Sequence, residues 1–213
     1  MDIIIGAQGS PDAVRQAHAQ AWERFRGLLD ELVAELPRLR EPVREICPLE
    51  GRVARRMWQA AHAHRQVYVT PMVAVAGSVA QEVLCAYERP GIDRAWVNNG
   101  GDIALHLTPG TSFKVGLYAD LDRPVRLTGS HDLAVDGFFT IGYDSPVRGV
   151  ATSGWKGRSF SLGIADSVTV LAATAAQADA AASIIGNAVD VDTPGIVRLP
   201  ASQVKDDSDL GDI

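Results

Sequence analysis

An α+β fold, a single domain in which an antiparallel or mixed sheet is covered by helices, is what the order of elements along this chain predicts. Three observations carry that expectation. Helical periodicity fills most of the first ninety residues, short alternating stretches fill most of the remainder, and the two are not interleaved as a βαβ chain requires. A length of 213 residues suits one domain large enough to bury a core.

The elements come in order along the chain. Residues 2–5 read as a short strand. Ser10 then offers an N-cap and Pro11 a first helical residue. Val14, Ala17, Ala21, Phe25, Leu28, Leu32 and Leu36 recur every three or four positions, predicting a long amphipathic helix over residues 11–36 that stops at Pro37. The polar stretch 38–51, with Pro42 and Pro48, is a connector, and Val53, Met57, Ala60 and His64 mark a second, shorter helix. Thr70 and Pro71 repeat the cap-plus-proline signature before residues 72–84, which are apolar nearly all round and so predict a buried helix. Gly77 in its interior costs about 1 kcal/mol relative to Ala, which a close backbone approach explains.

Trp96-Val97-Asn98-Asn99-Gly100-Gly101-Asp102 predicts a tight hairpin, since Asn-Gly and Gly-Gly supply positive φ. Beyond the turn Ile103, Leu105 and Leu107 share one strand face, and Asp102, Ala104 and His106 share the other. Asp102 then stands at the mouth of a turn whose backbone a ligand can approach. Residues 112–118 alternate as a further strand, residues 121–148 hold several short strand candidates, and residues 167–172 read as a buried strand. An alanine-rich helix comes next, over residues 174–189. The domain 1–213 divides into a helical part over residues 1–65, a ligand-site core over residues 66–200 and an acidic, solvated tail over residues 201–213.

Twenty Lys and Arg against 26 Asp and Glu leave a net charge of −6, and the arginines are scattered without interleaved aromatics, so nucleic acid is not an expected partner. Cys47 and Cys85 have no metal spacing, and no disulfide scaffold is implied. A start of Met1-Asp2-Ile3-Ile4-Ile5-Gly6 without a basic leader, together with no run of about 18 apolar residues, predicts a soluble, cytoplasmic protein with no membrane partner. His18, His62, His64, His106 and His131 form no recognisable set. No Walker loop, dinucleotide fingerprint, nucleophile elbow or zinc spacing is present. Apolar residues on the long first helix can pack internally or across a homodimer, and their period fits both.

Chemistry enters with Asp179 and Ser183, four apart on the alanine-rich helix and so on one face. A carboxylate and a hydroxyl so placed offer two hard oxygens to Mg²⁺ or Ca²⁺. The loop from Gly149 to Ser159 adds hydroxyls, free backbone N–H groups, Lys156 and Arg158, all suited to an anionic group such as phosphate.

Taken in order, Asn99-Gly100-Gly101-Asp102, then Ala151-Thr152-Ser153-Gly154, then Ser167-Val168-Thr169-Val170 followed by Ala178-Asp179 and Ser183 resembles the ApbE-type flavin transferase superfamily over residues 70–190, and most closely a short branch of it. That resemblance implies an ApbE-like α+β domain that binds FAD, uses Mg²⁺, and transfers an FMN unit to a threonine of a partner protein. It implies Asp179, Ser183 and Ser78 as metal-binding positions. It implies Gly77, Ser78, Asn98, Asn99, Gly100, Gly101, Thr152, Ser153 and Gly154 as lining the cofactor, and Asp102 and Asp179 as candidate catalytic residues. Two departures accompany it. Gln81 stands where those transferases carry a lysine, and residues 161–166 lack their histidine. The residues and the resemblance together leave three readings. One is an enzyme acting with Mg²⁺ on a flavin or a related phosphate-bearing small molecule. Another is a binding or accessory protein without transfer chemistry, and the third is an enzyme on a different small molecule without flavin.

Overall fold

The computed structural model describes residues 2–117, 135–157 and 160–204. Strand β1 (Ile3–Gly9) leads into helix α1 (Pro11–Ala34), whose first turn is capped by the Ser10 hydroxyl accepting from the Ala13 amide at 3.4 Å. The short helix α2 (Leu36–Leu39) and helix α3 (Arg52–His62) come next. A 3₁₀ turn (Pro71–Ala74) opens directly into helix α4 (Val75–Leu84), and a second 3₁₀ turn (Cys85–Tyr87) closes it. Then come β2 (Ile92–Asn99), β3 (Asp102–Leu107), β4 (Ser112–Leu117), β5 (Gly137–Gly142), β6 (Gly149–Ser153) and β7 (Val168–Ala172), and helices α5 (Ala175–Ala188) and α6 (Ala201–Val204).

Five strands form one sheet in the order β1-β2-β3-β6-β7, every neighbouring pair antiparallel, while β4 and β5 form a separate antiparallel hairpin. The alternation along β2 and β3 decides what each face meets. Ala95, Val97 and Ala104 belong to the main core with residues of α1, α3 and α4. Trp96, Ile103, Leu105 and Leu107 pack instead with Phe113, Val115, Phe139 and Ile141 of the β4–β5 hairpin. The helices therefore cover one face of the sheet and the hairpin covers the other.

Expectation and structure differ at several points. The first strand runs to Gly9 rather than stopping at residue 5, because it pairs with the whole of β2. Helix α1 ends at Ala34, two residues early, where the Glu35 amide turns back to the carbonyls of Leu32 and Val33. Helix α3 ends at His62, so His64 falls outside it. Thr70 makes no side-chain cap, and the turn after it is 3₁₀ rather than α. The Thr174 hydroxyl, by contrast, caps α5 by accepting from the Gln177 amide at 3.2 Å. Residues 201–204 of the expected tail form a helical turn. His131, Arg158, Ser159, the strand candidates within 121–134 and the acidic residues 205–212 lie outside the described residues. Among the described residues, no helix is long and apolar enough to cross a membrane.

Candidate functional site

The hairpin between β2 and β3 closes as its sequence demands. Gly100 and Gly101 take φ of +69° and +115°, and the Asn98 carboxamide oxygen accepts from the Gly101 amide at 2.8 Å. Across this turn Asn99 pairs with Asp102. Strand alternation turns both toward the helical layer, and both are buried. The Asn99 Nδ2 donates to the Ala76 carbonyl at 3.2 Å, tying the hairpin to the first turn of α4.

That first turn is where Asp179 arrives. Gly77 lets α5 approach: a Cβ placed there would lie 2.3 Å from the Ala175 carbonyl oxygen and 2.9 Å from the Asp179 Cβ, so no larger residue fits without moving a helix. The Asp179 Oδ2 accepts from the Gly77 amide at 2.8 Å and its carboxylate also bonds the Ala76 amide. Helix α4 has no side-chain cap of its own, so Asp179 satisfies its orphan N–H groups from another helix.

Asp102 and Asp179 are each only 9% exposed. The ladder between β3 and β6 ends at Ile103 and Val150, and past that end Asp102 takes the free Thr152 amide. Burial pushes the Asp102 carboxyl up to about 7 from an ordinary 3.8. Asp179 is raised well above the usual carboxylate range, first by burial and then by the charge of Asp102. Among the described residues the groups acting on this pair are three backbone amides and each other, and none is a cation.

The structure thus brings together Asp102, Asp179, Gly77 and Asn99, with Thr152 joined through its backbone. Nearby on β6 and α5, the Ser183 hydroxyl donates to the Ser153 hydroxyl at 3.4 Å. Asn98, Gly100 and Gly101 form the turn itself, and Gly154 packs on the Asp166 carbonyl. Ser78 is wholly buried, and its carbonyl accepts from Arg56 of α3 at 3.1 Å, which engages it with a different charge cluster. Among the described residues no group of three or more His, Cys, Asp or Glu gathers as a metal cluster. A surface depression of about 310 Å³ lined by Ala34, Glu35, Pro37, Arg38 and Glu50 involves none of the site residues.

That charge cluster escaped the sequence. Glu82, 3% exposed, accepts from Arg24 Nε at 2.8 Å and Arg56 at 2.9 Å, with Arg52 at 3.3 Å. Despite its burial, the arginines hold its carboxyl below the ordinary 4.5. A Glu at the centre of an apolar helical run was the available signal.

Fold and site define an α+β domain with a buried carboxylate pair between a glycine hairpin and two helices. The chain belongs to the family described as AbpE bacteria, whose model matches residues 1–213. A UPF0280 protein of Methanopyrus kandleri is 37% identical over 209 residues, covering 97% of this chain and 78% of its own. UPF0280 proteins of Methanothrix thermoacetophila and Methanothermobacter thermautotrophicus are 39% and 40% identical over 132 and 131 residues. Those two matches span 51% and 46% of the relatives' own length, about half of each. These findings correct the resemblance to the ApbE-type flavin transferase superfamily. The family matched over the whole chain and the relatives found are a distinct family, and short motifs shared around a glycine hairpin do not establish membership of the other.

Proposed function

We propose that this protein binds a phosphate-bearing small molecule with the help of a divalent cation held at Asp102 and Asp179. One observation carries the reading: two buried carboxylates share a site where, among the described residues, no cation acts on either. Such a pair is stable only when protons or a metal ion offset its charge. The donor set suits Mg²⁺ or Ca²⁺, since every group available is a hard oxygen. The two carboxylates would hold the ion, with the Ser183 hydroxyl on the same helix as Asp179. A bound Mg²⁺ would offset the charge of phosphate oxygens. Asp102 would orient the ligand or hold a proton, and Thr152, Ser153 and Gly154 would line the approach. Two carboxylates are few for such an ion, so affinity is expected to be low.

Asp179 also supports a second reading. A carboxylate accepting two amides of a helix N-terminus is a structural cap, and by itself it needs no ligand. Calorimetric titration of Mg²⁺ and of Ca²⁺, then of FAD in the presence of Mg²⁺, into the native protein and the Asp102→Ala and Asp179→Ala variants separates the two. Weak cation binding with proton release, lost in both variants, together with FAD binding that requires the cation, supports the proposal. Absence of any cation binding at millimolar concentration sinks it and leaves the cap.

A further inference from the structure

We propose that the outer edge built from β1 and α1 joins two copies of this chain about a two-fold axis, β1 pairing antiparallel with β1 of the second copy. Among the described residues strand β1 ends the sheet, bonded to β2 on one side only. Its residues, Ile3-Ile4-Ile5-Gly6-Ala7-Gln8-Gly9, include no charge and no proline, so it has none of the side chains that ordinarily keep an edge strand from pairing. Ile3, Ile5 and Ala7 pack on the main core yet are only partly buried, and Ile4 is 63% exposed.

Helix α1 carries an apolar stripe facing the same way. Its flank toward α4 and α3 is marked by Arg24, which bonds both Glu82 and Glu31. Trp22 and Leu29 each precede one of those charged residues by two positions, which turns them about 200° around the helix, away from α4. Trp22, Leu29 and Val33 are 59%, 57% and 55% exposed, with half-buried Phe25 against Trp22 at 6.2 Å between ring centroids. Of the neighbouring charges, Arg26 is paired with Glu23 and Arg15 with Asp12.

A second copy fits this edge better than a foreign partner. An unpaired strand calls for another strand, and the uncharged edge gives an acidic or basic protein nothing to recognise. Under a two-fold, one operation satisfies both strands, sets both stripes face to face and brings no like charges together along β1. Pairing at this edge does not depend on the carboxylate pair.

Sedimentation velocity at low and high micromolar concentration tests it on the native protein and on two variants, Ile4→Lys and the double substitution Trp22→Glu with Leu29→Glu. The expected result is a native dimer, and a twofold loss of mass in each variant with an unchanged circular dichroism spectrum. Hydrogen exchange on the native protein is the second readout, expected to show protection of the β1 amides that rises with concentration. If a variant fails to fold, that native exchange decides. A native monomer throughout, a dimer that survives either set of substitutions in folded protein, or β1 exchange indifferent to concentration overturns the proposal.

Discussion

Two places in this molecule bury carboxylates, and they treat them oppositely. Glu82 lies among Arg24, Arg52 and Arg56, and its proton affinity falls below that of a free carboxyl. Asp102 and Asp179 lie among backbone amides, with no cation among the described residues, and theirs rises. Burial opposes the charged form at both sites; only the partners differ. The first arrangement ties α1, α3 and α4 together and is complete without a ligand. Among the described residues the second lacks a positively charged partner, and the proposed cation site rests on that difference.

The sharpest way to break the comparison is to unbalance the complete site. Glu82→Ala leaves three arginines facing one another and should cost about 3–5 kcal/mol in urea denaturation, enough to threaten folding. A loss below about 1 kcal/mol would show that the cluster is only a solvated network. Next in size is Gly77→Ala. Its methyl group would collide with the Ala175 carbonyl and push α5 from α4, which should cost about 2–3 kcal/mol and weaken cation binding as well. A variant of unchanged stability would mean that the two helices are free to part.

The pH dependence of stability separates the sites by sign. Glu82, with a lowered folded value, contributes stability present above its unfolded 4.5 and lost as pH falls through the folded value. Asp102 rises from 3.8 to about 7 on folding, so its contribution is complete below the lower value and disappears as pH climbs to the upper one. Metal-free protein should therefore lose stability across that interval, and Asp102→Asn should flatten the decline, gaining about 1–2 kcal/mol near pH 8. Melting curves in chelator over a pH series measure this; an Asp102→Asn protein weaker than native at that pH would contradict it. The smallest effect belongs to Asn99→Ala, which removes the bond to the Ala76 carbonyl. It should cost about 1 kcal/mol while leaving the hairpin formed, as amide exchange at Gly101 would report.

Local chemistry is legible in the sequence. Ser10 before Pro11 and Asn-Gly-Gly between alternating strands each specify their own geometry within a few residues, and the structure keeps both. Thr70 shows where local signals stop: the same cap-plus-proline pair leads into a 3₁₀ turn, and the cap of α4 comes from Asp179 instead. The trans cap has no short-range signature and the Glu82 cluster shows only its lone Glu in an apolar run, not its partners, because each joins residues that are neighbours only after α1, α3, α4 and α5 have packed. Gly77 signals a close approach, but which backbone approaches it is not in the pattern. The same limit explains why motifs around the hairpin point to another family: turns and phosphate-suited loops recur wherever their chemistry is useful.

The bond from Gly77 to Asp179 spans 102 residues of sequence, and that separation sets an order of events. A ribosome takes roughly 5–20 s to add such a length. Through that interval the nascent chain can coil α4 and turn the glycine hairpin, yet the amides at the start of α4 have only water to bond and Asp102 has no carboxylate opposite it. The repulsion between the two acids arises only when α5 docks, among the last steps of assembly. A proton taken up at that moment relieves the repulsion and acts as a latch on the docked helix.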